Sequence, residues 1–216
     1  MSERDPRLPG RLLLSERDTL LPLLRRLPEP AFALRTACPG WCVREVLAHC
    51  GAALVRIVEG RTEGAFGPEA NAGDVAERAR WPLGRVLDEL ERGLGEAGEV
   101  IAAADGRLDV IGLGEWVHAG DVRDALGEPG AYQGPGTGEA LSLLQTVSRE
   151  RGTPRVHVRL PDAPGELRFG NPVPGRPPAR LESDAPTLVR LYTGRPLVGT
   201  RYRLHGAEER ELVVYG

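Results

Sequence analysis

The sequence predicts an α plus α+β protein, a helical bundle followed by a small α+β module. Three observations predict it. Across residues 11–127 apolar side chains recur at three- and four-residue spacing. At "GEPGAYQGPGTG" this texture breaks into glycine and proline, as in a linker. Beyond the break, short segments alternate apolar and polar residues with period two. The expected organisation is a bundle over 11–128, a linker over 129–137 and a small α+β domain over 138–216.

The first helix is expected over 11–27, where Leu12, Leu13, Leu20, Leu23, Leu24 and Leu27 fall near helical spacing. Pro22 fits poorly in a helix interior and predicts a kink or a late start. In "ACPGWCVREVLAHCGAALVRIVEG" the Pro39-Gly40 pair marks a turn, and a helix follows from Val43 to about Val58. Cys42 takes its N-cap position, and Glu45 stands three residues on as in a capping box. A third helix from about Asn71 is interrupted near Trp81-Pro82, and a fourth runs from Leu83 to about Ala104. Residues 111–126 form the next. Past the linker, 138–150 suit one more helix. "RVHVRL", "GELRF", "ARLES", "TRYRLHG" and "ELVVYG" read as five strands. Between the third and fourth, Asp184 is placed as N-cap, Pro186 in the first turn and Gly194 past the end of a short helix.

Composition excludes some functions. The net charge is -3, which offers no general affinity for nucleic acid. No run of about 18 apolar residues reads as a membrane span. The N-terminal "MSERDPRLPGR" lacks the apolar core of a signal peptide, so a cytoplasmic location with reduced cysteines is expected. "GPGTG" is too short for a phosphate loop, and the chain has no lysine to complete one.

The chemistry concentrates in "GEWVHAGDVRDALG". Ile111, Glu115, His118, Val122 and Ala125 form a stripe along one helix, apolar at both ends and thus expected to face the interior. A buried carboxylate needs a partner or a metal. Glu-x-x-His on a bundle helix is one way to aim both groups at an ion. Of the four histidines, His49 lies on the second helix and is the natural third ligand, giving a His2Glu set with an open position suited to catalytic zinc. Spacing alone favours the plainer alternative, in which Glu115 pairs with an arginine and His118 is a satisfied core residue. Asp121 and Arg123 follow on the same helix, Asp121 to orient a ligand and Arg123 to meet a carboxylate or form an ion pair. The Cys38–Cys42 spacing is not that of a zinc ribbon. Cys38 reads as a loop residue, Cys42 as a cap and Cys50 as core.

These stretches resemble a family. "CPGWCVREVLAHC" is similar to the Pro-Gly-Trp-Ser/Thr-Val-Arg-Asp-Leu-x-x-His segment of mycothiol-dependent maleylpyruvate isomerase-like proteins, in the DinB-like superfamily. "EANAGDVAERARWPLGRVLDEL" resembles their third helix, and "WVHAGDVRDALG" their His-x-x-Asp-Val-Arg-x-Ala-Leu-Gly helix. The resemblance covers about residues 12–128. "LESDAPTLVRLYTGRP" resembles the sterol-carrier-like domain often attached to them. The resemblance implies a DinB-type four-helix bundle with one divalent metal, usually zinc, on His49, Glu115 and His118. The family places its glutamate four residues before the histidine, and Gly114 stands there in this chain.

The function implied is metal-dependent chemistry of a low-molecular-weight thiol such as mycothiol, by transfer to a small electrophile or isomerisation through an adduct. The alternative is a non-catalytic binding or stress-associated protein whose metal site is weakened or lost. Either would act as a monomer or homodimer. No residues for binding an organic cofactor are singled out.

Overall fold

The computed structural model describes residues 4–215. Two compact units divide at Pro129/Gly130.

In the first unit, α1 (Leu8–Leu24), α2 (Val43–Val58), α4 (Leu83–Ala103) and α5 (Asp109–Ala125) pack on one another, with α3 (Pro68–Arg78) against α2. Helix α1 starts earlier than its leucine pattern, with a proline in its first turn, and contains Pro22 in its last. Its buried face is Leu12, Leu13, Leu20, Leu21 and Leu24. Helices α1 and α4 cross closely at two glycines: a Cβ on Gly98 would lie 2.8 Å from the Gly10 Cα. Only a residue without a side chain allows that approach.

Helix α2 opens on the expected box. The Cys42 backbone N–H donates to Glu45 Oε2 at 2.7 Å. The loop before it is tied to itself. Thr36 N–H donates to the Trp41 carbonyl and Trp41 N–H to the Cys38 carbonyl, both at 3.2 Å. The Cys38 N–H donates to Thr36 Oγ1 at 3.2 Å. Gly40 closes the turn with a φ of 84°. Helix α3 is held by charge: Arg56 grips Asp74 at 2.5 Å and Arg78 grips Glu89 at 2.5 Å. At the start of α5, Arg4 binds the buried Asp109 through two hydrogen bonds of 2.8 and 2.9 Å.

The second unit has helices α6 (Thr137–Glu150) and α7 (Ala185–Thr193) and strands β1 (Val156–Arg159), β2 (Glu166–Phe169), β3 (Ala179–Ser183) and β4 (Tyr202–His205). The strand order is β2-β1-β3-β4, with β1 and β3 parallel and both outer pairs antiparallel. Val156, Val158, Phe169, Ala179 and Leu181 make the buried face. Asp184 caps α7 by accepting the Thr187 N–H at 2.8 Å, and Gly194 leaves it at a φ of 67°.

The chain departs from expectation at its end. "ELVVYG" is not a fifth strand. Glu209–Glu211 turn as a short 3-10 helix, and Arg176 fixes Glu211 at 2.6 and 2.8 Å. Leu212 and Val214 are buried, and the Val214 N–H donates to the Tyr192 carbonyl at the end of α7. Alternating apolar residues satisfy a helix end here as readily as a sheet. Within the glycine-rich stretch, Tyr132 is buried under the Arg190 guanidinium, 4.5 Å from its ring centre.

Candidate functional site

Helix α5 has two chemically distinct sides. Glu115 and Val122 are buried, but Ile111, Gly114, His118 and Ala125 are half-buried. The stripe read from the sequence is therefore split: Glu115 turns into the core while His118 sits at its rim, with Gly114 one turn before it on the same side.

His118 meets His49 of α2 edge to face, their ring centres 5.3 Å apart. Trp41 also contacts His49, the ring centres 4.9 Å apart and tilted by 46°. His118 Nδ1 is 3.0 Å from Oδ2 of Asp121, which is fully buried. An aspartate three residues on lies on the same side of the helix, so this contact fixes the ring and its tautomer. Burial, with the neighbouring His118, pushes the His49 imidazole down to about 3 against a weaker pull from Asp74, so His49 is neutral at ordinary pH.

Glu115 lines the same cavity as His118 but hydrogen-bonds with neither histidine. That cavity is also lined by Glu16 and Leu20 of α1, Cys50 of α2 and Leu90 of α4, and within it Glu115 hydrogen-bonds with the Cys50 thiol. Burial raises its carboxyl to about 8. The same burial, with the carboxyl beside it, raises the Cys50 thiol well above its usual range, so this cysteine is inert. Glu16 in the same cavity has what Glu115 lacks, a cation: Arg123 donates to it at 2.6 Å and to Thr19 at 2.9 Å. Burial still raises the Glu16 carboxyl, with Arg123 opposing.

Two atoms bear on whether a metal fits. His49 Nδ1 and Glu115 Oε2 are buried with no hydrogen-bond partner. Both belong to the ligand set read from the sequence, and donors of this kind suit a divalent ion. Their positions suit it less, because Glu115 points at Cys50. Among the described residues, the one group of three potential ligands with converging donor atoms is Cys38, His118 and Asp121, all within 4.8 Å of one another. Cys38 was read as an ordinary loop residue. Its sequence signal is faint, a cysteine just before a Pro-Gly turn that leads to the histidine helix.

Comparisons with known proteins bear on the family and the fold. Residues 13–127 match the family described as the mycothiol maleylpyruvate isomerase N-terminal domain. The fold resembles the crystal structure of the mycothiol-dependent maleylpyruvate isomerase, with a TM-score of 0.65 at 17% identity, over 96% of this chain and 98% of that one. A histidine-to-alanine mutant of that enzyme matches with a TM-score of 0.63 at 16% identity, with the same coverage of 96% and 98%. No curated protein matches the chain. No described helix is long and apolar enough to cross a membrane.

Proposed function

The chain belongs to the family of the mycothiol maleylpyruvate isomerase N-terminal domain, and from that premise we propose that it is a metal-assisted enzyme of low-molecular-weight thiol chemistry. It would act as an isomerase or an S-transferase, with mycothiol or a thiol of that class as cosubstrate and a small electrophile as substrate. The observation that carries this reading is the His49–His118 pair, held by Asp121 at the half-open side of α5.

In the isomerase case the thiolate sulfur adds to one alkene carbon of a cis-enedioyl substrate, and the electron pair moves onto the adjoining carbonyl oxygen. The former double bond rotates. The pair then returns, the trans alkene forms and the thiolate leaves, so no oxidant or net proton is needed. In the S-transfer case a proton reaches the carbon instead and the sulfur stays. A divalent cation beside His118, when bound, keeps a coordinated thiol ionised near neutral pH. His49 and His118 are the imidazoles suited to hold it. Glu115, the third ligand of the set read from the sequence, would have to turn away from Cys50 to join them. Asp121 touches the His118 ring and orients it in the absence of a cation. Arg123 can meet a substrate carboxylate only by exchanging Glu16 for it.

The test is turnover of a maleyl-type substrate by untagged protein supplied with zinc and mycothiol. Thiol-dependent isomerisation or thioether formation is expected, reduced about 100-fold in His118→Ala. The inward turn of Glu115 favours a second reading, a binding protein with a weakened metal site. Saturable binding of mycothiol without turnover on any electrophile would decide for it.

A further inference from the structure

We propose that the cation site of this chain is built by Cys38, His118 and Asp121, a thiolate replacing the carboxylate that position 114 lacks. The inference deepens the functional reading above and rests on it for the role of the metal.

Geometry carries it. The three donor atoms already lie within 4.8 Å of one another, whereas tetrahedral zinc with these ligands needs separations of about 3.5 Å. Small side-chain rotations close that gap. Each donor is positioned by something rigid. Cys38 is held by the loop of Thr36, Trp41 and Gly40, whose backbone hydrogen bonds place it just ahead of α2. His118 and Asp121 share one side of α5. His49, with an unpartnered buried Nδ1, stands beside His118.

Charge argues the same way. A thiolate and a carboxylate together neutralise a dication, which two imidazoles and one carboxylate do not. The set is also softer than an all-oxygen and nitrogen set, so it selects zinc or cobalt over magnesium. Cys50 is no substitute, because its thiol hydrogen-bonds with Glu115 within the core. Cys42 is no substitute either, because it begins α2 as the capping residue.

Cobalt(II) titration of metal-free, untagged, full-length protein tests the proposal. One equivalent should bind with a thiolate-to-cobalt charge-transfer band in the near ultraviolet, and magnesium should not compete. Cys38→Ser should remove the band and weaken binding by more than about tenfold. His118→Ala and Asp121→Asn should weaken binding as well, whereas Cys42→Ser and Cys50→Ala should keep the band. Circular dichroism melts of each variant separate lost ligands from lost fold, and Cys38→Ser, at a half-exposed loop position, is the variant least exposed to that risk. The proposal is overturned by absence of cobalt binding, by a band that survives Cys38→Ser, or by affinity that depends on Glu115→Gln and not on Cys38. If the band behaves as expected and no thiol supports turnover, the enzyme reading fails and the site stands. If Cys38→Ser supplied with zinc still binds the metal and turns over normally, the site fails and the enzyme reading stands.

Discussion

Less than one turn of α5 separates Glu115 from His118. Glu115 enters a cavity lined mostly by apolar side chains of α1, α2 and α4, with Glu16 and the inner edge of His118, and there it hydrogen-bonds with the Cys50 thiol. His118 lies half-open at the rim, braced by Asp121 and faced by His49 and Cys38. The first setting suppresses charge and the second gathers donors. The difference shows that two groups of one helix can border one cavity and still meet unlike partners, because a step of three residues rotates a side chain about 60° and a step of four about 40° the other way. Gly114, at the four-residue step, shares the open side with His118.

The largest effect that could break this comparison is on stability against pH. The Glu115 carboxyl is raised from 4.5 to about 8, so folding favours its protonated form. A raised carboxyl contributes stability that is fully present below its unfolded value and is lost as pH rises through its folded value. The helical unit should therefore lose stability between about pH 4.5 and 8, on the order of 5 kcal/mol for a fully buried group. Glu115→Gln should flatten that slope in urea melts across the range. An unchanged slope would mean that Glu115 is ionised, with a cation beside it, and the two sides of α5 would be one site after all.

Glu16 supplies the control within the same cavity. Its carboxyl is also buried, but Arg123 compensates it. Arg123→Met should cost about 3 kcal/mol at neutral pH by leaving Glu16 unpaired. Glu16→Gln with Arg123→Met should recover most of it. If Arg123→Met is stable but loses activity, the guanidinium serves substrate rather than Glu16.

Much of this was legible beforehand. Helical spacing and the Pro-Gly turn located α2, and Glu45 announced its cap, because these features are local. The two histidines came together because the resemblance placed their helices in one bundle. The fifth strand failed because period-two alternation does not say what the apolar residues pack on. The convergence of Cys38 with α5 was illegible, since about seventy residues lie between Cys38 and the start of that helix and only the fold closes that distance. The inward turn of Glu115 was half legible: the shift from position 114 was visible, but its destination depended on Cys50.

Gly114→Glu sharpens the comparison from the other side. The new carboxylate would stand on the half-open side, one turn before His118. Cobalt affinity should rise about tenfold, or about 1.4 kcal/mol. Helix propensity adds up to about 1 kcal/mol of stability, since glycine is the poorer helix former. No change in affinity would place the cation, or its absence, away from His118.

The smallest effect separates the two cysteines of the α2 entry. Cys42 and Cys38 are four residues apart, and the proposed roles differ completely. Cys42 begins the helix: its backbone N–H is taken by Glu45 Oε2 at 2.7 Å, and its sulfur accepts in return from the Glu45 backbone. Sulfur is a weak acceptor, and serine offers a stronger one at the same position. Burial raises the Cys42 thiol, so the neutral form that serine mimics is the one already present. Cys42→Ser should thus be neutral or stabilising by up to about 1 kcal/mol, with metal affinity unchanged. Cys38→Ser should do the reverse, with little effect on the melt and a large loss of cobalt binding. If both serines shift the melt and neither shifts the metal, the loop is only the lead-in to a helix, and the half-open side of α5 gathers its donors without Cys38.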